Sequence, residues 1–175
     1  MIRISGGEWR GRLIQSPPGL SSRPTIGRVR ETLFSMLQEE IKGAKVLDLF
    51  AGVGTVGIEA LSRGASEAVF VESNPKILRI LKKNLLSLAP SSRWEVIRAD
   101  AKKVHLLKGL KNRRFNIIFC DPPYPLLDFT LTDNYLELLE NGGTLVVQHP
   151  KKDQPPGANH TRLVGDNALS FWRKE

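Results

Sequence analysis

Short apolar runs alternate with amphipathic stretches from residue 46 onwards, and this alternation predicts strands joined through helices. The predicted strands are 46–50, 68–72, 95–98, 115–120 and 144–148. The predicted helices between them are 56–63, 75–88, 101–108 and 126–140, the last ended by Asn141-Gly142-Gly143. Because short apolar strands connected through helices are covered on both faces, the pattern is typical of a parallel sheet in an α/β fold.

The start of the chain breaks this alternation. Ile2, Ile4 and the pair Leu13-Ile14 predict a short hairpin. Apolar residues then recur at helical spacing and predict a helix over 25–41, with Thr25 as its N-cap. We therefore expect a small extension that packs ahead of the main sheet.

The end of the chain also differs from the middle. Two predicted strands, 161–164 and 168–172, flank a turn at 165–167, which favours an antiparallel hairpin. The predicted organisation is a basic N-terminal extension (a hairpin and loop), residues 1–25, followed by one α/β domain, residues 26–175. Its sheet is expected to be mostly parallel and to finish in the antiparallel hairpin.

Positive charge is concentrated near the start of the chain. The net charge is +8, and residues 1–30 carry six arginines against one glutamate. Guanidinium groups bind phosphates in a planar, bidentate manner, so this segment indicates a polyanionic partner. A solvated basic face is the alternative. The candidate phosphate-binding residues are Arg3, Arg10, Arg12, Arg23, Arg28 and Arg30.

Other compositional features narrow the class of protein. With Cys120 as the only cysteine, no internal disulfide can form, which suits a reducing compartment. No apolar run approaches the roughly 20 residues of a membrane helix, and no apolar signal core opens the chain, so a cytoplasmic protein without membrane contact is expected. The three histidines form no spaced ligand set, and we expect no metal site.

A glycine-rich segment over residues 48–57, Asp-Leu-Phe-Ala-Gly-Val-Gly-Thr-Val-Gly, lies between a predicted strand and a predicted helix. Glycines at such a turn let the backbone approach a ligand closely, and the G-x-G-x-x-G pattern suits a dinucleotide or S-adenosylmethionine. Asp48 favours S-adenosylmethionine, because a carboxylate can bind the ammonium group of this donor and has no use beside a pyrophosphate.

Acidic residues also end the next two predicted strands. Glu72 follows Gly52 by 20 residues, where a carboxylate can accept both ribose hydroxyls; a solvated strand end is the alternative. Asp100 is placed to contact the adenine amine, with Ala101 adding a backbone contact, or to cap the following helix, or to do both. The candidate cofactor-binding residues are Asp48, Phe50, Ala51, Gly52, Gly54, Glu72, Ser73, Asp100 and Ala101.

The tetrad Asp121-Pro122-Pro123-Tyr124 follows a predicted buried strand. A carboxylate and a proline carbonyl can accept two N–H hydrogen bonds from a planar amino group, and an aromatic ring can stack on the attached base. We therefore interpret Asp121, Pro122 and Tyr124 as catalytic residues for methyl transfer to the exocyclic amine of a nucleobase. Cys120 directly precedes them, but its apolar strand favours a buried core thiol over a nucleophile.

Several longer stretches follow a known pattern. They are 23–25 (Arg-Pro-Thr), 28–34 (Arg-Val-Arg-Glu-Thr-Leu-Phe), 48–52, 59–65 (Glu-Ala-Leu-Ser-Arg-Gly-Ala) and 121–124. Through these motifs nearly the whole chain, from about Ile2 to Trp172, resembles the RsmD family of bacterial methyltransferases, which modify a guanine N2 in small-subunit ribosomal RNA. The tetrad alone is shared with adenine-N6 enzymes of DNA.

The resemblance implies a class I, Rossmann-like methyltransferase fold with S-adenosylmethionine as methyl donor. It also implies 16S ribosomal RNA as substrate, in an assembling 30S particle, with Asp121, Pro122 and Tyr124 holding a flipped guanine. Arg10, Arg12, Arg23 and Arg30 then face RNA or the base pocket, and we expect a monomer. Two places depart from the family pattern, because many relatives carry an acidic residue near Asn74 and another at the end of the fifth strand, where this chain has Gln148.

Three other functions remain open at this point. An adenine-N6 methyltransferase would use the same amine grip, although the chain has no large insertion for target recognition. A basic RNA-binding assembly factor could keep the fold without catalysis, but it would not need Asp48, the glycine loop and the tetrad. A nicotinamide oxidoreductase would share only the glycine pattern.

Overall fold

The computed structural model describes residues 1–18, 24–88 and 93–175, without the side chains of residues 24–26 and Tyr124. The strands are Ile2–Arg3 (β1), Leu13–Ile14 (β2), Lys45–Leu49 (β3), Glu67–Glu72 (β4), Trp94–Arg98 (β5), Phe115–Cys120 (β6), Leu139–Pro150 (β7), His160–Val164 (β8) and Asn167–Arg173 (β9). The α-helices are Pro24–Met36 (α1), Gln38–Ile41 (α2), Thr55–Ser62 (α3), Pro75–Leu88 (α4) and Thr132–Leu136 (α5). Further 3-10 helices span Ala101–Leu106, Tyr124–Leu126 and Phe129–Leu131.

The main sheet has seven strands in the order β5-β4-β3-β6-β7-β9-β8. Strands β3 to β7 are parallel to one another, whereas β9 is antiparallel to both β7 and β8. The predicted α/β sheet, mostly parallel with a C-terminal antiparallel hairpin, is confirmed. The chain reverses its direction of winding beside β3, which places β4 on one side of it and β6 on the other.

The two faces of the sheet are buried under different elements, because successive side chains of a strand point to opposite sides. One face, which includes Val46 and Phe70, is covered by α1, α3, α4 and the N-terminal hairpin. The other, which includes Leu47 and Val69, is covered by the 3-10 helix Ala101–Leu106 and by α5. Fully burying one such side chain contributes about 1.5–3 kcal/mol. No helix in the described ranges is long and apolar enough to cross a membrane.

The N-terminal hairpin packs as part of the same core. Strands β1 and β2 pair antiparallel, with Ile2 opposite Ile14, so the predicted hairpin is confirmed. Ile4, Trp9 and Ile14 are each at most 5% exposed and join the cluster on the α3 side of the sheet. Trp9 is therefore a packing residue.

The predicted helix over 126–140 is wrong. The chain forms two short 3-10 helices and the five-residue α5 instead, and β7 already begins at Leu139. Prolines 123 and 125 lack N–H donors and disfavour a continuous helix there. The end of this segment pairs with β6 instead of forming a helix: Phe115 N–H donates to the Leu138 carbonyl at 2.9 Å. The predicted stop at 141–143 lies inside β7, where Gly142 has φ +77°.

The predicted helix over 25–41 divides into α1 and α2 at Leu37, whose φ and ψ are −95° and 8°. Thr25 is not the N-cap, because α1 begins at Pro24 and Thr25 lies in its first turn. Proline is favoured at that position, where its missing N–H is not needed. The remaining predicted elements agree with the structure within two residues, except that β7 extends well beyond 144–148 at its start and to Pro150 at its end.

Candidate active site

The carboxyl ends of β3 and β6 lie side by side, with Leu49 opposite Cys120 in the parallel register. The chain leaves β3 at Phe50 and leaves β6 at Asp121, so the glycine loop and the tetrad start at neighbouring points of one sheet edge. The winding direction also reverses between these two strands. In open α/β sheets, ligands bind in the crevice that such a reversal opens.

Two glycines of the loop have no room for a side chain. A Cβ on Gly57 would overlap the ring of Phe70 and lie 3.0 Å from Asp48 Oδ2. Gly54 precedes α3 with φ +87°, and a Cβ there would overlap Leu81. Phe50 has φ +58°, a conformation rare for a non-glycine residue and found mostly at functional turns. The loop therefore exposes backbone to the crevice at a cost in strain.

Asp48 is 2% exposed, and its Oδ2 accepts a hydrogen bond from Gly57 N–H at 2.9 Å. Burial raises the pKa of this carboxyl to about 7, which the Gly57 hydrogen bond opposes and the nearby Asp121 and Glu72 carboxylates reinforce. A cation bound at this edge would favour the ionised carboxylate and lower the pKa. Asp48 is thus a buried carboxyl, and none of the groups that shift its pKa is a cation.

Glu72 accepts hydrogen bonds from two loops, the glycine loop and the turn that follows β4. Its Oε2 accepts from Gly52 N–H at 2.9 Å and its Oε1 accepts from Asn74 N–H at 2.7 Å. Each carboxylate oxygen keeps a further acceptor position. Asn74, one of the two departures from the family pattern, caps α4 by accepting from Lys76 N–H at 2.9 Å, so the amide performs the capping that an acid would perform there. Ser73 beside it is exposed.

Asp100 caps the 3-10 helix after β5, because its Oδ1 accepts from Lys102 N–H at 3.0 Å. The predicted capping role is confirmed, and the predicted contact with adenine stays a prediction. Ala101 is buried, and its carbonyl accepts from the Tyr135 hydroxyl at 3.4 Å. Both residues lie at the same edge of the sheet as Asp48 and Glu72, since all four lie at or just beyond the carboxyl ends of parallel strands.

The tetrad turns sharply away from β6. Asp121 lines the crevice, and burial raises the pKa of its carboxyl to about 7. Pro122 is buried, and the Pro123 carbonyl accepts from Leu126 N–H at 2.7 Å, which fixes the turn. The side chain of Tyr124 lies outside the described part of the chain. Cys120 is a buried free thiol whose pKa burial raises further, so it is neutral core, as predicted.

A cavity of about 200 Å³ opens between α1, the glycine loop and the ends of β6 and β7. Its charged and amide groups are Arg30, Asp121 and Gln148. Gln148, the second departure from the family pattern, therefore shares a cavity with Asp121. Ala51 and Gly52 connect the cavity to the glycine loop. The remaining lining residues are Ile2, Val29, Leu33, Val53, Thr55, Val56 and Phe119.

Arg30 reaches this cavity from a buried ionic cluster centred on Glu59. The Arg30 Nε lies 2.7 Å from Glu59 Oε2 without hydrogen-bond alignment, and its Nη2 donates to the Arg3 carbonyl at 2.7 Å. Arg63 Nη2 contacts Glu59 Oε1 at 2.7 Å, and the Ser5 hydroxyl binds the same oxygen. The cluster joins the N-terminal segment, α1 and α3 around one carboxylate that is 1% exposed.

The six candidate phosphate-binding arginines occupy different environments. Arg3, Arg10, Arg12 and Arg28 are exposed, whereas Arg30 is 7% exposed and faces the cavity. Arg23 lies outside the described residues. Arg30 is thus separated from the surface set and grouped with the pocket.

Sequence reasoning missed several contributors to the site. Thr55, Val56 and Phe119 line the cavity from elements that were predicted correctly, but their orientation toward it was not assigned. Glu59 was detectable as a lone charge in the apolar helix α3. Asn84 of α4 was also missed; its amide donates to the Val53 carbonyl at 3.1 Å and to the Gln15 carbonyl at 3.0 Å, and accepts from Gln15 N–H at 2.8 Å. It ties the glycine loop to the N-terminal extension.

Comparison with known proteins decides the family. The family described as "Conserved hypothetical protein 95" matches residues 2–168. The chain belongs to this family. It is 41% identical to the ribosomal RNA small subunit methyltransferase D of Escherichia coli K12, over 82% of this chain and 69% of that protein. It is 38% identical to the protein of the same name from Haemophilus influenzae, over 88% and 81% of the two chains.

A solved structure extends the similarity to the whole fold. A hypothetical protein of Thermus thermophilus superposes with a TM-score of 0.84 at 34% identity, covering 99% of both chains. The resemblance to the RsmD family drawn from the motifs is thereby confirmed. The chain is a methyltransferase of that family, and its glycine loop and tetrad stand at the sheet edge where the fold binds ligands.

Proposed function

We propose that this protein transfers the methyl group of S-adenosylmethionine to the N2 amine of a guanine in small-subunit (16S) ribosomal RNA. The observation that carries the proposal is the placement of Asp121 and Pro122 beside the glycine loop of Asp48, at the adjoining ends of β6 and β3. One sheet edge therefore holds an acceptor pair for an amine and a cradle for a methyl donor.

Asp48 and Glu72 are the proposed anchors of the donor. The ionised Asp48 binds the ammonium group, and Glu72 accepts the ribose hydroxyls with the acceptor positions that Gly52 and Asn74 leave. Phe50, Ala51, Gly52 and Gly54 supply backbone along the donor. Ser73, Asp100 and Ala101 border the ribose and adenine.

Asp121 and the Pro122 carbonyl are the proposed grip on the amine. Their two hydrogen bonds draw the nitrogen toward a tetrahedral shape and direct its lone pair at the sulfonium methyl. The N–C bond forms as the S–C bond breaks, S-adenosylhomocysteine leaves, and the amine then loses a proton. Since the sulfonium is already reactive, positioning and electrostatics supply most of the rate. Tyr124 stacks on the base in this proposal.

Arg30 favours guanine over adenine as the target. A guanidinium donates to the O6 and N7 acceptors of guanine, the commonest specific contact of arginine with a base. Because Arg30 shares the cavity with Asp121, a guanine whose N2 is held by Asp121 can offer O6, on the same Watson–Crick edge, to Arg30. Adenine has no carbonyl oxygen: its N6 amine would be held by Asp121 and would leave no such acceptor for Arg30. An adenine-N6 target is the second candidate, supported only by the shared tetrad.

The exposed arginines Arg3, Arg10, Arg12 and Arg28, together with Arg23, are proposed to bind the RNA backbone. The relatives named above carry small-subunit ribosomal RNA in their names, and a net charge of +8 suits such a partner. We propose that the monomer acts in the cytoplasm on RNA within an assembling 30S particle.

Nucleoside identification tests this function. The protein is incubated with labelled S-adenosylmethionine and either naked 16S RNA or 30S particles from a strain lacking the endogenous activity, and the RNA is digested. N2-methylguanosine at one site is the expected product, and Asp121→Ala serves as the inactive control. N6-methyladenosine would move the target to adenine. Absence of label from both substrates, despite donor binding, would contradict the proposal.

A further inference from the structure

Two segments account for the net positive charge of the chain. Residues 1–30 contribute +5, and helix α4 contributes +4 through four basic residues with no acidic residue among its fourteen. Because the net charge is +8, the remaining residues are close to neutral. The charge on α4 belongs to no motif discussed above.

The basic residues of α4 lie on its outer surface. Lys76, Arg79 and Lys83 follow at i, i+3 and i+7, so they form one stripe about 10 Å long, and Lys82 lies beside it. All four side chains are exposed, while Leu78, Leu81, Asn84 and Leu85 are buried on the opposite side. With respect to the described residues, none of the four cations forms an ion pair within 4.0 Å.

The stripe connects the candidate active site with the arginine-rich hairpin. Helix α4 begins three residues after Glu72, at the edge that holds the glycine loop, and runs back along the sheet to β5. At its far end, Arg12 Nη2 donates to the Ser87 carbonyl at 2.9 Å, one turn beyond Lys83. The two basic segments, distant in sequence, thus meet at this end of α4.

We propose that the α4 stripe, Lys76, Arg79 and Lys83, is a phosphate-backbone docking surface that holds the substrate RNA beside the site. This inference rests on the proposed function and adds a contact surface that the N-terminal arginines alone do not supply. Exposed cations without acidic neighbours on their helix retain their full attraction for phosphates, and each neutralised phosphate makes binding more salt-dependent. The surface selects for RNA backbone and shape, while the cavity selects the base.

Charge reversal tests the stripe. The triple variant Lys76→Glu, Arg79→Glu, Lys83→Glu is compared with Lys103→Glu, Lys108→Glu, Lys111→Glu, three exposed lysines outside the stripe. Both variants lower the formal net charge by the same amount, so long-range attraction falls equally. Affinity for 16S RNA is measured across a salt series, together with S-adenosylmethionine affinity and thermal unfolding.

The stripe variant is expected to bind RNA at least about tenfold more weakly, with a salt slope reduced by about two units or more. Donor affinity and thermal unfolding should match the wild type, and the control variant should lose much less RNA affinity. Equal losses of RNA affinity in both variants would overturn the inference. An unchanged RNA affinity in the stripe variant would also overturn it, and this is the result expected if the stripe binds an acidic protein instead. Failure of the wild type itself to bind or methylate RNA would instead count against the proposed function.

Discussion

Arg30 Nε lies 2.7 Å from Glu59 Oε2, and both side chains are almost completely buried. The pair joins α1 to α3, and Arg63 adds a second cation on the opposite carboxylate oxygen while covering the Phe34 ring at 4.8 Å. This ionic cluster fixes a guanidinium in the wall of the candidate active site, on the same cavity as Asp121. A structural contact inside the core therefore determines what the pocket presents to a ligand.

Glu59→Gln should destabilise the fold by about 3 kcal/mol, because it leaves the buried Arg30 without its counter-charge. Urea unfolding measures the change. Glu31→Gln, at an exposed position of α1, is the matched control and should shift the unfolding free energy by no more than about 0.5 kcal/mol. Equal effects of the two substitutions would mean that the cluster does not hold α1 to α3.

Asp121→Ala should lower turnover by about 100-fold or more, since the amine loses its charged acceptor, while donor affinity changes only a few-fold. Single-turnover methylation and a donor-binding titration separate the two effects. Asp133→Asn, an exposed acid on α5, is the control and should leave both quantities unchanged. Wild-type turnover in Asp121→Ala would eliminate the amine-grip mechanism.

The ligand-free protein should lose stability as the pH rises through about 7. Burial raises the pKa of Asp48 and Asp121 from 3.8 to about 7, so the folded state binds protons that the unfolded state has released. Their contribution is complete below the unfolded pKa and is lost as pH rises through the folded pKa. Unfolding free energies at about pH 5 and about pH 8 measure the loss, which Asp48→Asn should reduce.

Catalysis should show the opposite trend. Only the ionised Asp121 accepts its N–H bond from the amine well, and only the ionised Asp48 attracts the donor's ammonium group, so kcat/KM should rise with pH through about 7. Donor binding should correspondingly release protons, which calorimetry in buffers of different ionisation enthalpy detects. A pH-independent rate across this range would show that neither carboxyl titrates there in the free enzyme.

The helices and strands were predictable where a regular spacing of apolar residues was bounded by a clear turn or start signal. Helix α4 was predicted with its observed bounds because its first residue is Pro75 and its apolar spacing is regular. The placement of Asp48, Glu72 and Asp121 at one edge was predictable too, since each lies at or just beyond the carboxyl end of a parallel strand. The segment after Pro123 was not, because a helical spacing of leucines there is overridden by the prolines and by pairing of Leu139 with Phe115.

Contacts between side chains that are distant along the chain could not be predicted from the sequence. Arg30 was grouped with other N-terminal arginines as facing either RNA or the base pocket, and nothing in its neighbourhood indicates that Glu59 would bury it. Asn84 also gave no signal, because its partners Gln15 and Val53 are 69 and 31 residues away. Side-chain pairing across a fold depends on how helices pack, which periodicity alone does not specify.

Gly57→Ala should lower both stability and donor affinity. The added methyl group overlaps the fully buried Phe70 ring and crowds Asp48 Oδ2, so the fold loses about 1–3 kcal/mol and the proposed ammonium-binding carboxylate is displaced. Donor affinity should fall by at least about tenfold, measured by titration at a temperature where the variant is folded. Gly27→Ala in α1 is the matched control: its Cβ meets open space, and the helix should gain about 0.5–1 kcal/mol. A Gly57→Ala protein that binds the donor like the wild type would show that close packing at this glycine does not position Asp48.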